Sequence, residues 1–303
     1  MTNYRKDASL LTYSERQNFV KAVKGVKAKI IPGTNRSVYD EFVIWHSNSV
    51  IKVDSTDSFG FRDPAHGGPA FLPWHRFFLY KFEQELQKVV PGVTIPYWNW
   101  TQDAYNPTAS SIWADDFMGG NGDPQNNNIV KTGPFAAGKW TTVNADGTAK
   151  GGLIRQFGVL FPGIPTPSDA LAVVKEVPYD QASWNAASKP SHRTRLEGFE
   201  FPAGSTEVVF TFHNRVHGWV GGDMSIVLTS PNDPLFYLHH CNVDRLWALW
   251  QNYNPSQGYK PTSGGPAGHN LNDLMYPWDG KATNLQARPI DVLNYQNLGY
   301  DYL

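Results

Sequence analysis

The chain has very little cysteine. Its 303 residues include a single one, Cys241. This excludes disulfide frameworks, zinc sites built from cysteine and iron-sulfur clusters, all of which need several thiolates. Any metal must therefore be held by histidine, aspartate or glutamate.

The chain also lacks an excess of charge and a long apolar run. The 26 lysines and arginines nearly balance the 27 aspartates and glutamates, which gives a formal net charge of -1. Without a basic run or an acidic tail, we expect neither a nucleic-acid nor a membrane partner. No segment approaches the about 18 uncharged apolar residues of a spanning helix, and residues 1–17 hold no apolar signal-peptide core. We expect a protein that stays in the cytoplasm or is exported with a carrier protein.

Apolar and aromatic residues are plentiful. The hydrophobic fraction is 41% and the aromatic fraction 14%, which supports a large core rich in aromatic rings and excludes a disordered chain. The length suits one domain or two, and we find no repeat and no linker. We therefore expect one domain over residues 1–303.

Apolar residues at helical spacing mark four segments. These predicted helices are Ser14–Val26, Ser37–His46, Pro73–Val90 and Pro234–Gln251. Ser14 is expected to cap the first helix with Gln17 in a capping box, and Asn232-Asp233 to cap the last. Residues 101–200, rich in glycine, proline and asparagine, predict ordered loops with a few short strands. The fold is expected to be mainly helical.

Six of the nine histidines form two groups of three. His213 and His217 are four residues apart, so a helix presents both imidazoles on one face, and His240 comes from another helix. In the first group His46 and His75 lie on predicted helices, and His66 lies in the loop DPAHGGP between them. One histidine in an apolar stripe is usually a core residue, but many imidazoles without partners would be costly to bury. Two metal sites, each bound by three imidazole nitrogens, would give the buried rings partners and so remove that cost.

The ligand type leaves the metal open, because imidazole suits zinc, copper, iron and nickel. Zinc proteases carry HExxH, and no histidine here is followed by glutamate. Non-haem iron prefers two histidines and a carboxylate. These comparisons favour copper over zinc and iron.

Several motifs resemble the bacterial tyrosinases of the type-3 copper family. They include FLPWHRFFLYKFEQEL, IPYWNW, DFMGGNG, FHNRVHGWVGG and SPNDPLFYLHHCNVDRLWALWQ, and the likeness runs from about Tyr13 to the final GYDYL. The resemblance implies a mainly helical domain whose central four-helix bundle holds two copper ions. His46, His66 and His75 match the ligands of the first copper, and His213, His217 and His240 those of the second. His192, His239 and His269 are expected not to bind metal.

The chemistry implied by the resemblance is oxidation of small phenols by dioxygen. In the family, two copper ions together supply two electrons to dioxygen, monophenols are hydroxylated at the ortho position, and catechols become ortho-quinones. Tyrosine-like phenols and catechols are the expected substrates. The resemblance leaves room for a helper protein that loads copper, and we expect no C-terminal lid domain. No cysteine precedes Cys241, so the thioether that some relatives attach at the position of His66 cannot form.

Further site residues are also carried by the resemblance. Glu197 and Asn214 match a pair that holds a water and helps to deprotonate the phenol. Phe199 and Val227 match positions that crowd the entrance, although both also suit a plain core. Gly218 replaces a larger side chain of several relatives, which predicts a wider mouth and leaves specificity open.

Two carboxylates are candidates to orient the imidazoles, since a ligating ring usually donates its other N–H to a carboxylate or a carbonyl. They are Asp233 and Asp244. For Asp233 the alternative is helix capping, and for Asp244 it is a salt bridge with Arg245 or another arginine.

Other functions remain open at this stage. The nearest is a catechol oxidase or an o-aminophenol oxidase, which shares the copper centre but does not hydroxylate monophenols. An oxygen carrier is disfavoured by the short chain and by Gly218, and a zinc hydrolase by the motifs. Glu197 with Asn214 favours the tyrosinase activity.

Overall fold

The computed structural model describes residues 2–52, 63–202, 204–205 and 207–303. Helices dominate this part of the chain, as the sequence predicts. They are α1 (Tyr13–Ala28), α2 (Val38–Ile51), α3 (Phe71–Val89), α4 (Pro167–Lys175), α5 (His192–Glu197), α6 (Phe212–Val220) and α7 (Leu235–Tyr253), with short 3-10 turns between them. Within these ranges no helix combines the length and the apolar character that crossing a membrane requires.

The observed N-cap of helix α1, Thr12, lies two residues before the predicted cap, Ser14. The hydroxyl of Thr12 accepts the N–H of Glu15, and the Glu15 carboxylate accepts the N–H of Thr12 in return. The prediction that Ser14 and Gln17 form the capping box was therefore wrong, because the same motif is formed two residues earlier in the chain. Thr12 has the extended backbone that an N-cap needs, whereas Ser14 already lies inside the helix.

Helices α2 and α3 supply two sides of the central bundle. Ser37 caps α2 as predicted, by accepting the N–H of Asp40, but the helix continues past His46 to Ile51. Helix α3 starts at Phe71, before the predicted Pro73. Proline is tolerated there because the N–H groups of a first helical turn have no intrahelical partner.

Helix α7 lies at the centre of the molecule. Buried residues occur all round it, from Leu235 to Trp250, which is typical of a helix enclosed by other elements. At its start the N-cap position is Pro234, and the Asp233 carboxylate, one residue before it, accepts the N–H of Leu235 as a helix cap does. Helices α2, α3 and α6 meet α7 around the histidines and form the predicted four-helix core.

The strands are short and pair two by two. They are β1 (Asn3–Arg5) with β8 (Tyr300–Tyr302), β2 (Gly122–Asp123) with β3 (Ile129–Val130), β4 (Thr142–Val143) with β5 (Ala149–Gly151), and β6 (Phe199–Glu200) with β7 (Val209–Phe210). Among the strands of the described ranges, only the β1–β8 pair is parallel, and it joins residues near the first described residue to those near the last. The few strands within residues 101–200 agree with the prediction.

Candidate metal centre

The first histidine cluster joins α2, α3 and the loop between them. The rings of His46 and His66 lie 4.9 Å apart between centroids, and those of His66 and His75 lie 5.0 Å apart. One nitrogen of each residue falls within 4.8 Å of the other two. This is the group that the sequence predicts.

Hydrogen bonds fix which nitrogen of each ring faces the centre. Nδ1 of His46 lies 3.3 Å from the carbonyl oxygen of Leu228, and Nδ1 of His75 lies 2.8 Å from that of Phe71. A carbonyl oxygen only accepts, so Nδ1 carries the proton and Nε2 keeps its lone pair. Both Nε2 atoms are buried without a hydrogen-bond partner. Buried acceptors rarely remain unpaired, so a cation between them fits this cluster.

His66 is oriented by a carboxylate that the sequence reasoning missed. Asp63 Oδ2 accepts from His66 Nδ1 at 2.8 Å, while Oδ1 accepts the backbone N–H groups of Ala65 and His66. Burial lowers the pKa of the His66 imidazole, but the charge and hydrogen bond of Asp63, together with the charge of Glu197, leave that pKa raised. The signal was present in the sequence as an aspartate three residues before a ligand candidate in a turn.

The second cluster joins α6 and α7. Nε2 of His240 lies 3.2 Å from Nε2 of His213 and 3.2 Å from Nε2 of His217. Nδ1 of His213 faces the carbonyl oxygen of Glu197 at 3.2 Å, and Nδ1 of His217 faces that of Met224 at 2.7 Å. Both rings on α6 therefore present a lone pair at Nε2. Three nitrogens this close have the donor set and spacing that suit a metal ion.

Burial and mutual repulsion keep the histidine rings of the second cluster neutral. Burial lowers the pKa of His240, and the neighbouring histidines lower it further. Burial likewise lowers the pKa of His217 to about 4. Neutral imidazoles are the form that binds metal, so the cluster is held in a ligand-ready state.

His239 lies beside the second cluster, and its position bears on the choice within the adjacent pair. Its ring stacks on that of His213, 5.1 Å between centroids and 15° between planes, and one of its nitrogens falls within the same 4.8 Å group. The Nε2 atoms of the α6 histidines, however, both contact His240. This geometry favours His240 as the third ligand.

The two remaining histidines lie away from both clusters. His192 stacks on Trp250 and hydrogen-bonds the carbonyl oxygen of Val173. His269 accepts the backbone N–H of Ala70 through Nδ1. Both are therefore core residues in this structure.

The two clusters lie side by side. The rings of His75 and His240, one from each cluster, stack at 4.3 Å with 14° between their planes. Phe71 packs 4.9 Å from His75 and 4.8 Å from His213, so it closes the space between the clusters. Two metals held here would be near neighbours in a shared, apolar-walled centre.

Asp233 and Asp244 bind arginines in the described structure. Asp233 accepts two hydrogen bonds from Arg155, at 2.7 and 2.8 Å, besides capping α7. Asp244 is bound by Arg76 and Arg5. These contacts agree with the alternatives of helix capping and arginine pairing, although the arginine at Asp244 is not its neighbour Arg245.

A cavity of about 580 Å³ opens above the clusters. It is lined by His66, His213 and His217, and all five candidate catalytic and substrate-binding residues also line it: Glu197, Phe199, Asn214, Gly218 and Val227. The fold thus gathers residues that lie far apart in the sequence around one space large enough for a small aromatic molecule.

Glu197 is fully buried between two donors. Its Oε1 accepts the N–H of Gly67 at 2.6 Å, and its Oε2 accepts from Arg193 at 3.1 Å. Burial raises the pKa of Glu197 to about 7, against the lowering effect of Arg193. Asn214 orients its amide by donating to the carbonyl oxygen of Gly198 at 3.3 Å.

The space beside Gly218 is not open, contrary to the expectation of a wider mouth. A Cβ atom added to Gly218 would lie 2.3 Å from Cε2 of Phe161, so the ring of Phe161 occupies the position that a side chain would take. Phe161 lies 57 residues earlier in the chain and has no motif that would have revealed this contact.

Comparison with known proteins agrees with this geometry. The family model described as the common central domain of tyrosinase matches residues 36–253. The tyrosinase of Streptomyces glaucescens is 39% identical over 295 residues, 96% of each chain. Grixazone synthase of Streptomyces griseus subsp. griseus is 37% identical over an alignment of 320 positions that covers 97% of each chain.

A solved structure shares the fold. A variant of polyphenol oxidase from Thermothelomyces thermophila superimposes with a TM-score of 0.70 at 23% identity, covering 100% of this chain and 89% of that one. Together, the family model that covers most of the residues and the relatives that align over nearly the whole chain show that this protein belongs to the tyrosinase family of copper oxidoreductases.

Proposed function

We propose that this chain uses dioxygen to hydroxylate monophenols at the ortho position and to oxidise catechols to ortho-quinones. The observation that carries the proposal is the pair of three-imidazole clusters, whose inward Nε2 atoms lie side by side beneath one cavity. Copper bound to them would supply one-electron chemistry and open positions for dioxygen and a phenolate.

Each cluster is proposed to hold one copper. His46, His66 and His75 would bind the first, and His213, His217 and His240 the second. Carbonyl oxygens and Asp63 hold the Nδ1 protons of five of these rings, which leaves Nε2 as the ligand atom without a change of tautomer. This preorganisation supports the assignment.

Glu197 and Asn214 are proposed to assist loss of the phenol proton. A phenol keeps its proton up to a pKa of about 10, so it reaches a metal as phenolate only with help at neutral pH. A carboxylate whose pKa is near 7 is suited to accept a proton directly or through a water, and Asn214 lines the same cavity. Catechols need this help less.

Phe199 and Val227 are proposed to hold the aromatic ring. Both line the cavity, and Phe199 pairs with Phe210 across the β6–β7 hairpin with 6.0 Å between ring centroids. Apolar walls of this kind suit a single phenolic ring, because they bind its faces without competing for its hydroxyl.

Oxygen uptake with a monophenol and with its catechol tests the proposed roles. Glu197→Gln and Asn214→Ala should each lower monophenol turnover by about tenfold or more and leave catechol turnover within about twofold. Glu200→Gln is the matched control, since Glu200 lies three residues after Glu197, on β6, but is partly exposed and pairs with Arg195. Equal losses on both substrates at equal copper content would contradict the assignment.

A second candidate is oxidation of catechols or o-aminophenols without hydroxylation of monophenols. Both carboxylate oxygens of Glu197 already accept hydrogen bonds, from Gly67 and Arg193, and this favours a purely structural Glu197. The same assay separates the two functions: uptake with the catechol but none with the monophenol by the unaltered protein would establish the second.

A further inference from the structure

An arch of six residues, Gly158–Gly163, crosses helix α6 beside the cavity. The N–H of Gly158 donates to the carbonyl oxygen of Trp219 at 2.7 Å, and Nε of Arg215 donates to the carbonyl oxygen of Gly163 at 2.8 Å. Just before the arch, Phe157 stacks on Trp219 at 4.9 Å with 21° between planes. The two ends are thus fixed one helical turn apart on α6, and the position of residue 161 follows from them.

Phe161 lies on the helix surface at Gly218. The Cδ2 and Cε2 atoms of the ring would lie only 2.5 and 2.3 Å from a Cβ atom at position 218. Gly218 has ordinary helical geometry, and glycine is a poor residue for a helix interior. Because Gly218 has no side chain, the Phe161 ring can approach the helix backbone closely.

The ring continues an aromatic wall of the cavity. Phe161 meets Phe210 edge to face at 6.4 Å, and Phe210 meets Phe199 across the β6–β7 pair. Leu160 and Val227 extend this apolar surface toward solvent, with 58% and 53% of their surfaces exposed. Apart from the histidines, the only ionisable side chain among the described lining residues is Glu197, which is buried and paired with Arg193.

We propose that Phe161, placed by Gly218, determines specificity by contacting the ring substituent of the substrate and selecting phenols and catechols whose substituent is uncharged and apolar. This inference rests on the proposed function for the location of the reacting ring above the histidines. An apolar substituent gains contact with the aromatic wall, whereas a charged one loses hydration there. The guanidinium of Arg215, which lies 5.6 Å from the Phe161 ring centroid, already donates to the carbonyl oxygen of Gly163.

The test compares three catechols on the copper-loaded protein: unsubstituted catechol, 4-propylcatechol and 3-(3,4-dihydroxyphenyl)propionate. The unaltered chain should have a kcat/KM for 4-propylcatechol about tenfold or more above that for the propionate. Phe161→Ala should lower kcat/KM for 4-propylcatechol by about five- to tenfold and change that for unsubstituted catechol by less than about twofold.

Gly218→Ala tests the contact that places the ring. The new Cβ must displace Phe161, so this variant should lower kcat/KM for 4-propylcatechol in the same direction. In the Phe161→Ala background it should have no further effect, because no ring remains to be displaced. Val159→Ala is the matched control, as Val159 is an exposed residue of the same arch that does not line the cavity.

A binding measurement on the metal-free chain makes the inference independent of turnover. Saturation-transfer NMR with 4-propylphenol should show transfer to the propyl methyl group, and Phe161→Ala should reduce it by at least about half while Val159→Ala leaves it unchanged. Equal losses for catechol and 4-propylcatechol, preference for the propionate, or unchanged methyl transfer in Phe161→Ala would overturn the inference. If the unaltered protein oxidises no catechol, the proposed function fails, and the binding measurement still decides the role of Phe161.

Discussion

Replacing Asp63 by asparagine should weaken one metal site and leave the other intact. Asp63 is the carboxylate that accepts the Nδ1–H of His66, whereas the other tethered imidazoles donate to carbonyl oxygens of the backbone and, for His213, also of the Asn214 side chain. Asparagine keeps one oxygen for the N–H groups of Ala65 and His66, so the turn is preserved. Its amide nitrogen cannot accept from the imidazole, and the orienting hydrogen bond is lost.

The expected size follows from the nature of that hydrogen bond. It links a ring to a carboxylate at 2.8 Å in a largely buried loop, so it is charge-assisted and positions a ring that would otherwise rotate. Losing such a partner typically lowers metal affinity by about 10- to 100-fold, or about 1.4 to 2.8 kcal/mol. The loss should fall on one copper per chain, because His66 belongs to one cluster only.

Copper retention against a graded series of chelator concentrations measures this effect. Asp63→Asn should release one copper at a lower chelator concentration than the unaltered chain and hold the second as before. Asp146→Asn, the same substitution in an exposed turn, is the control. Release of both coppers together, or an unchanged release curve, would refute the reasoning that Asp63 orients a ligand of one cluster.

Two further predictions concern α7. His239→Ala should keep two coppers per chain while His240→Ala keeps one, by metal analysis, and the reverse pattern would show that the ligand choice is wrong. Asp244→Asn should lower the free energy of unfolding of the metal-free chain by about 3 to 5 kcal/mol, because it leaves Arg76 buried without its partner, whereas exposed Asp291→Asn should cost less than about 1 kcal/mol. Burial raises the pKa of Asp244, but the charges of Arg76 and Arg5 and the hydrogen bonds from Tyr300 and Tyr302 together leave it lowered. The stabilisation that Asp244 contributes should therefore be complete above the unfolded pKa and disappear as pH falls through the folded value. Denaturant titrations at neutral and acid pH measure both effects, and equal losses for the two variants would contradict the buried-pair account.

The histidine clusters were predictable because their signal is local. The four-residue spacing of His213 and His217 places both rings on one face of any helix, and the apolar stripes of α2, α3 and α7 direct His46, His75 and His240 inward. Hydrophobic periodicity therefore predicts both which side chains are buried and which rings meet. Helix ends were less predictable, since Thr12 and Ser14 offer the same cap chemistry.

Contacts between distant segments had no such signal. Asp233 was a candidate to orient an imidazole, with helix capping as the alternative, and the sequence did not reveal that Arg155, 78 residues away, binds both of its oxygens. Gly218 was expected to widen the mouth, but Phe161 fills the space. In both cases the deciding partner comes from a long loop between helices, whose path depends on tertiary packing rather than on periodicity.

The most direct test of the account is a copper titration of the metal-free chain in which catechol-dependent oxygen uptake is measured after each addition. Two neighbouring three-imidazole sites that act together predict uptake that reaches its plateau at two coppers per chain and is absent after loading with zinc. A plateau at one copper per chain, or equal uptake by the zinc-loaded protein, would contradict the binuclear copper centre.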